Sequence, residues 1–383
     1  MESKTKLRIA VLSRNFVSTG GGAERYAIAL VEQLAKKHEV HVFAQTISHN
    51  HSQVQYHTVG MPMQRPRWIN QLYFATATWW ATRKGFDIVH SHENTWHGNV
   101  QTVHVLPVKY NLFLNRLGLS RFLRWIKIVT SPRLIAYLAL EKARYSLKKP
   151  RTIVSVSRTL NDVMLQTYPQ AASALQVIPP GIESVPGPAG HALKADARVK
   201  FNLPLDGQCI LFAGNDFKKK GLPTLIQAIA KLPSDVFLAI AGHSGQRADM
   251  ERLGKEAGLK DRIYFLGAVS HMADAYNAAD FLVHPTLEDT YAMVVLEAMA
   301  HGLPVVVSSA AYCGIAAELQ DGVNALLLHN PKDITELTEN CNKLITDVAL
   351  YSKLSDQSQS FAKQCSWQQV VTEHVAIYTQ LTR

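Results

Sequence analysis

The chain has 383 residues, of which 47% are hydrophobic, and carries no low-complexity tract; that is more than one ordinary core organises, so two globular domains are expected. Met1 to Arg8 is polar, with no apolar signal core, and no stretch approaches the uninterrupted apolar length of a spanning helix, which points away from export and leaves only peripheral membrane contact. The formal charge of +10 is unevenly placed: Val105 to Pro150 holds ten Lys or Arg against the single acid Glu141.

In chain order, short β-rich runs read Leu7–Leu12, Val40–Ala44, Ile88–Ser91, Val100–Val103 and Ile153–Ser157, alternating with helical patterns. Between the first two, Ala27, Leu30, Val31 and Leu34 share one helical face, which makes a βαβ opening. Thr19-Gly20-Gly21-Gly22-Ala23-Glu24 enters that helix. Gly21 and Gly22 would let a bulky ligand approach the backbone and a helix amino terminus. The loop is not G-x-G-x-x-G, and Glu24 arrives too early to hold a dinucleotide ribose, so a dehydrogenase is disfavoured. The alternative is a helix-entry loop without a ligand.

Histidines gather at His90, His92, His97 and His104. Alternation puts His90 and His92 on one strand face, which would permit a metal, but there is neither H-E-x-x-H nor D-x-D, so no metal is expected. The basic stretch that follows interleaves Arg116, Arg121, Arg124 and Lys127 with Phe113, Phe122, Trp125 and leucines. Such a pattern fits an anionic membrane surface. Single-stranded nucleic acid or an ordinary solvated face are the alternatives, and nucleic acid is not the expected partner.

Glu183–Ala195, with Pro186, Gly187, Pro188 and Gly190, breaks every period and is the expected hinge. The strand scheme then restarts with Ile210–Ala213, Phe237–Ala241, Ile263–Leu266, Phe281–His284, Val305–Ser308 and Ala325–Leu328. The first of these leads into Gly214-Asn215-Asp216-Phe217-Lys218-Lys219-Lys220-Gly221 and a helix at Pro223, a turn suited to clamping a diphosphate unless its lysines are simply solvated. The most informative segment runs from His284 to Ala298: Asp289 lies just past a strand, and Glu297 lies one turn into the next helix. Backbone amides of Ala292, Met293 and Val294 would cap phosphates while Glu297 reaches a ribose diol. Trp367 to Leu381 reads as a terminal amphipathic helix. The four cysteines lack C-x-x-C spacing and read as idle thiols.

Over nearly its whole length the chain resembles glycosyltransferase family 4, through the glycine loop, the lysine turn, the acid pair, Gly302-Leu303-Pro304 and the terminal helix, in that order. The resemblance implies a GT-B fold, with two Rossmann-like α/β domains facing across a cleft. Residues 1–183 would bind acceptor, 184–366 would bind nucleotide sugar, and the helix 367–383 would pack back toward the first domain. It also implies that Asp289 contacts the donor hexose, Glu297 holds the ribose, Lys219 and Lys220 bind the diphosphate, and His104 faces the transferring sugar carbon. Two positions depart from the family: the first acid is Asp289 instead of Glu, and Asn215 stands where many members carry Arg.

Val177 to Ile182, Gly214 to Gly221 and His284 to Ala298 are most similar to the bacterial enzymes that glucosylate the first heptose of the lipopolysaccharide core. The implied activity is retaining transfer of glucose from a UDP-linked donor to a lipopolysaccharide-core or other membrane-associated glycan. It would need neither metal nor other cofactor, and would occur at the inner face of the cytoplasmic membrane. Mannosyl or N-acetylhexosaminyl transfer, sugar epimerisation, and a non-catalytic nucleic-acid-binding role are the competing readings.

Overall fold

The computed structural model describes residues 6–17, 20–63, 65–114, 127–128 and 130–382. The chain separates into two compact units, Met1–Gly181 together with Trp367–Arg383, and Ile182–Ser366.

The first unit is built on a parallel sheet of order Val54–Thr58, Glu39–Ala44, Arg8–Leu12, Ile88–Ser91, Val100–Val103, Thr152–Ser155, Leu175–Val177. The chain starts in the middle, winds outward on one side, and returns to wind outward on the other, so the strand order reverses between Arg8–Leu12 and Ile88–Ser91. Ligands of such sheets bind beyond the strand carboxyl ends at that reversal. Ile9 to Leu12 are wholly buried, as strands sandwiched by helices must be. Ser157, read from sequence as the end of a strand, instead caps the helix Arg158–Thr167, accepting from the amide of Leu160 at 3.1 Å.

The second unit repeats the plan with the order Ile263–Gly267, Val236–Ala241, Gln208–Ala213, Phe281–His284, Val305–Ser308, Leu326–Leu328. Its reversal lies between Gln208–Ala213 and Phe281–His284, the two strands that lead into the lysine turn and the acidic loop. That topology is why two turns far apart in sequence meet. Ile210, Phe212, Leu225, Ile226, Leu238, Phe281 and Val283 form the core beneath them.

The segment expected as a hinge is only partly irregular, because a helix begins within it at His191 and runs to Lys200. Arg198 holds that helix to the second unit, bonding Asp280 at 2.8 Å and the carbonyls of Ala278 and Leu205. The chain enters this unit at Ile182 and leaves it at Ser366, and these two residues pair as a parallel bridge. The Ile182 amide donates to the Cys365 carbonyl at 2.8 Å.

Candidate active site

In the second unit the lysine turn and the acidic loop are laced together by backbone. The Leu287 amide donates to the Lys219 carbonyl at 2.8 Å. Gly221 has φ of +79°, and a Cβ there would sit 1.9 Å from the Pro285 carbonyl oxygen, so only glycine permits the approach. The three lysines diverge. Lys218 turns to the surface and pairs with Asp249, and Lys219 pairs with Glu288 at 2.7 Å in solvent. Lys220 is largely buried, 2.5 Å from Asp289 Oδ2 and 3.2 Å from the Glu288 carbonyl.

Asp289 is the hub. Its Oδ2 also meets His284 Nε2 at 3.2 Å, and its Oδ1 accepts from the amides of Tyr291 and Ala292 at 3.3 and 3.0 Å. Burial works to raise its pKa, but the His284 hydrogen bond and the Lys220 charge outweigh that, and the carboxyl is held below its ordinary range. His284 is itself lowered, mainly by burial, so a neutral ring with its proton on Nε2 fits the geometry. Tyr291 Oη, Ser308 Oγ and His284 Nδ1 are buried polar atoms without a partner among the described residues, which a polar ligand could satisfy.

The helix Met293–Ala300 starts at Ala292, which adopts a left-handed φ of +75° without the freedom of glycine. Of the three amides expected to meet phosphate, that of Ala292 is engaged by Asp289, because the loop folds the carboxylate back over the helix entrance. The amides of Met293 and Val294, at the first two helical positions, lack intrahelical acceptors by geometry and point the helix dipole outward. Glu297 lies one turn further and accepts from Tyr276 Oη at 2.6 Å. No pattern in the sequence singles out Tyr276, which comes from the preceding helix Met272–Ala278. Asn215 accepts from the His243 amide at 3.0 Å and so serves the neighbouring turn.

In the first unit, Gly21 stands at the entrance of the helix Gly22–Ala35, with no side-chain cap at that position among the described residues. Thr19, also assigned to that loop, lies outside the described residues. The histidines collect at the sheet reversal. His104 Nε2 is 2.9 Å from His92 Nδ1, and the two rings stack at 5.2 Å. Burial, with Arg144 nearby, lowers His104 to about 3. It is therefore a neutral hydrogen-bonding group. His90 bridges Thr102 Oγ1 at 2.6 Å and Tyr378 Oη at 2.7 Å, while His374 meets Tyr26 Oη at 2.9 Å. His90 thus anchors the terminal helix Trp367–Leu381 to this unit, and no trio of His, Cys, Asp or Glu among the described residues could hold a metal. His92 Nε2, Asn94 Oδ1 and both His97 ring nitrogens are buried without a partner among the described residues.

The basic segment proves to be of two kinds. Arg116, Arg121 and Arg124 lie outside the described residues. Arg144 is buried, donating to Gln101 Oε1 and the Thr102 carbonyl, and Lys109 donates to the Thr167 carbonyl, so both are internal braces and not surface charge. Glu141, the lone acid, is also buried and accepts from the amides of Val108 and Lys109. Lys127, Arg133, Lys142, Lys148 and Lys149 are exposed. Among the described residues no helix is long and apolar enough to cross a membrane.

Residues 20–184 match the sequence model of Glycosyltransferase Family 4, and residues 194–361 match that of Glycosyl transferases group 1. The chain is 27% identical over 243 residues to D-inositol 3-phosphate glycosyltransferase of Xylanimonas cellulosilytica, covering 60% of this chain and 57% of that protein. It is 25% identical over 237 residues to lipopolysaccharide glucosyltransferase WaaG of Escherichia coli K12, covering 59% of this chain and 61% of that one. Both alignments span less than two thirds of the relative. The fold is shared with the crystal structure of WaaG, a glycosyltransferase involved in lipopolysaccharide biosynthesis, at a TM-score of 0.82 and 21% identity over 97% of this chain and 99% of that one. It is shared as well with Anabaena HepE in complex with UDP-glucose, at a TM-score of 0.76 and 16% identity over 98% of this chain and all of that one. With the family 4 region matched in its first half and the group 1 region in its second, on two doubly wound parallel sheets, the chain belongs to the glycosyltransferases of the GT-B fold.

Proposed function

We propose that the chain is a retaining hexosyltransferase that moves glucose from UDP-glucose to a membrane-associated glycan such as the lipopolysaccharide core, without a metal. The observation that carries the donor half is the meeting of Lys219, Lys220, Asp289 and the entrance of the helix Met293–Ala300 at one sheet reversal. Two cations and two helix amides suit a diphosphate, and a half-buried acid one turn away suits a ribose diol. In this reading Lys219, Lys220 and the amides of Met293 and Val294 hold the diphosphate, and Glu297, braced by Tyr276, holds the ribose. Asp289 meets the hexose hydroxyls, Gly21 and Gly22 admit the donor at the first unit, and neutral His104 faces the reacting carbon.

Transfer then breaks the bond between the anomeric carbon and the diphosphate oxygen, and the acceptor oxygen bonds to that carbon on the same face. The acceptor proton passes to the departing phosphate oxygen. Lys220 stabilises charge that grows as the bond breaks, which is where an electrostatic contact accelerates a reaction. Lysine charge takes the place of a divalent ion, so turnover is expected to persist in chelator. The UDP-glucose reading draws support from the HepE complex, and the acceptor reading from WaaG, whereas the Xylanimonas relative is named for an inositol phosphate.

The test is calorimetric titration of UDP and UDP-glucose into the parent and Glu297→Ala. Loss of a carboxylate that accepts ribose hydroxyls should weaken UDP by a few kcal/mol, on the order of a hundredfold. Equal affinity in the two proteins would remove Glu297 from the donor site.

A further inference from the structure

Away from both clusters, the first unit carries a cavity of about 500 Å³ lined by Arg65, Pro66, Arg67, Arg133 and Tyr137. Arg65 and Arg67 flank the start of the helix Arg67–Thr82, and Arg133 lies in the first turn of the helix Pro132–Arg144. Two elements far apart in sequence thus bring three guanidinium-bearing residues around one space. No carboxylate lines it among the described residues, and residues 61–84 contain no Asp or Glu at all.

Several arginines elsewhere in the chain are used as braces. Arg8 pairs with Glu39, Arg144 bonds Gln101 and the Thr102 carbonyl, Arg198 bonds Asp280, and Arg262 bonds three carbonyls beside the Val236 carbonyl. The side chains of Arg65, Arg67 and Arg133 have neither an ion pair nor a hydrogen bond among the described residues. Three like charges around one cavity repel each other, so an anion seated there would be held by the same field that otherwise disfavours the arrangement. A guanidinium presents a planar fork of donors that fits the oxygens of a phosphate, and the Tyr137 hydroxyl can add one donor or accept from a neighbouring alcohol. The volume lies within the range of small-molecule sites and exceeds what a bare ion fills.

We propose that this cavity binds a phosphate ester carried on a polyol, either a phosphorylated sugar or the headgroup of an anionic phospholipid. The assignment does not rest on the transfer reaction, since it is read by binding without turnover.

The experiment titrates inorganic phosphate, glucose 6-phosphate, glycerol 1-phosphate and unphosphorylated glucose into the full chain and into the triple variant Arg65→Gln, Arg67→Gln, Arg133→Gln. Co-sedimentation with vesicles of phosphatidylglycerol in phosphatidylcholine, and with phosphatidylcholine alone, runs in parallel at about 0.15 M salt. The urea transition of the variant, compared with that of the parent, checks that the first unit is folded, UDP affinity checks the donor-binding residues of the second, and Arg133→Gln alone repeats the test with a single exposed change.

The phosphate esters are expected to bind the parent more tightly than glucose, and the triple variant at least about tenfold more weakly, with UDP affinity unchanged. If glucose 6-phosphate shows this loss and phosphatidylglycerol vesicles do not, the occupant is a soluble phosphorylated sugar. If glycerol 1-phosphate and the phosphatidylglycerol vesicles show it together, the occupant is a lipid headgroup. The proposal is overturned if the parent binds no phosphate-bearing probe, if glucose binds as tightly as glucose 6-phosphate, or if the variants bind every probe as the parent does.

Discussion

Asp289 accepts hydrogen bonds from Lys220, His284 and the amides of Tyr291 and Ala292, so its charge is spent on organising the loop as well as on any ligand. Its folded pKa lies below the unfolded value, so its contribution to stability is present above that unfolded value and is lost as pH falls through the folded one. Asp289→Asn removes a partner from the largely buried Lys220, and should lower the stability of the second unit by about 3 kcal/mol, read from its urea transition. Ala292→Gly should do the reverse: relief of a left-handed φ is expected to raise stability by about 0.5–1 kcal/mol while UDP affinity stays the same. A lower urea midpoint would contradict the strain argument. That Lys219 and Lys220 belong to one turn is legible in the sequence, but their division of labour is not. Which lysine is buried depends on how the turn closes at Gly221 against Pro285, a contact between two distant strand ends. Tyr276 escaped for the same reason, since nothing local to it marks a partner in another helix.

At the scale of elements, the six strands of the second unit were all readable, because each is a β-rich run bounded by turn residues, buried in every case but the half-buried edge strand Ile263–Gly267. The edge strand Val54–Thr58 was not, since an edge with one paired side tolerates the polar sequence Val-Gln-Tyr-His-Thr. The terminal helix Trp367–Leu381 was visible by period, but its docking chemistry was not: it is fastened by His374 to Tyr26 and by Tyr378 to His90. Burial lowers His90 and His92 well below their ordinary value and lowers His104 and His374 to about 3, so the folded unit keeps these rings neutral where the unfolded chain protonates them. The unfolded state then binds more protons between the two sets of pKa values, so stability is complete above about pH 6.5 and declines as pH falls below it. Each histidine of this kind should contribute a slope of about 1.4 kcal/mol per pH unit. Urea unfolding of the parent and of His374→Gln between pH 7.5 and 5 should show a shallower decline in the variant; equal slopes would remove His374 from the effect.

For the molecule as a whole, the charge excess is smaller at the surface than the sequence suggests, since Lys109 and Arg144 are turned inward. If the exposed remainder holds the enzyme on an anionic surface, exchanging Lys127, Lys148 and Lys149 for Gln should weaken binding to phosphatidylglycerol vesicles by about 1 kcal/mol per charge, without changing turnover on a short soluble acceptor. Unchanged vesicle binding would assign these lysines to ordinary solvation. The proposed reaction is tested by the production of UDP from UDP-glucose, measured with a lipopolysaccharide-core glycan as acceptor in the presence of chelator, for the parent and Lys220→Ala. Acceptor-dependent UDP release that chelator leaves intact is expected, with an α-linked product from the α-linked donor and a fall of about a hundredfold or more in Lys220→Ala. Acceptor-dependent release that vanishes in chelator and returns with a divalent ion, or a variant as active as the parent, would contradict it.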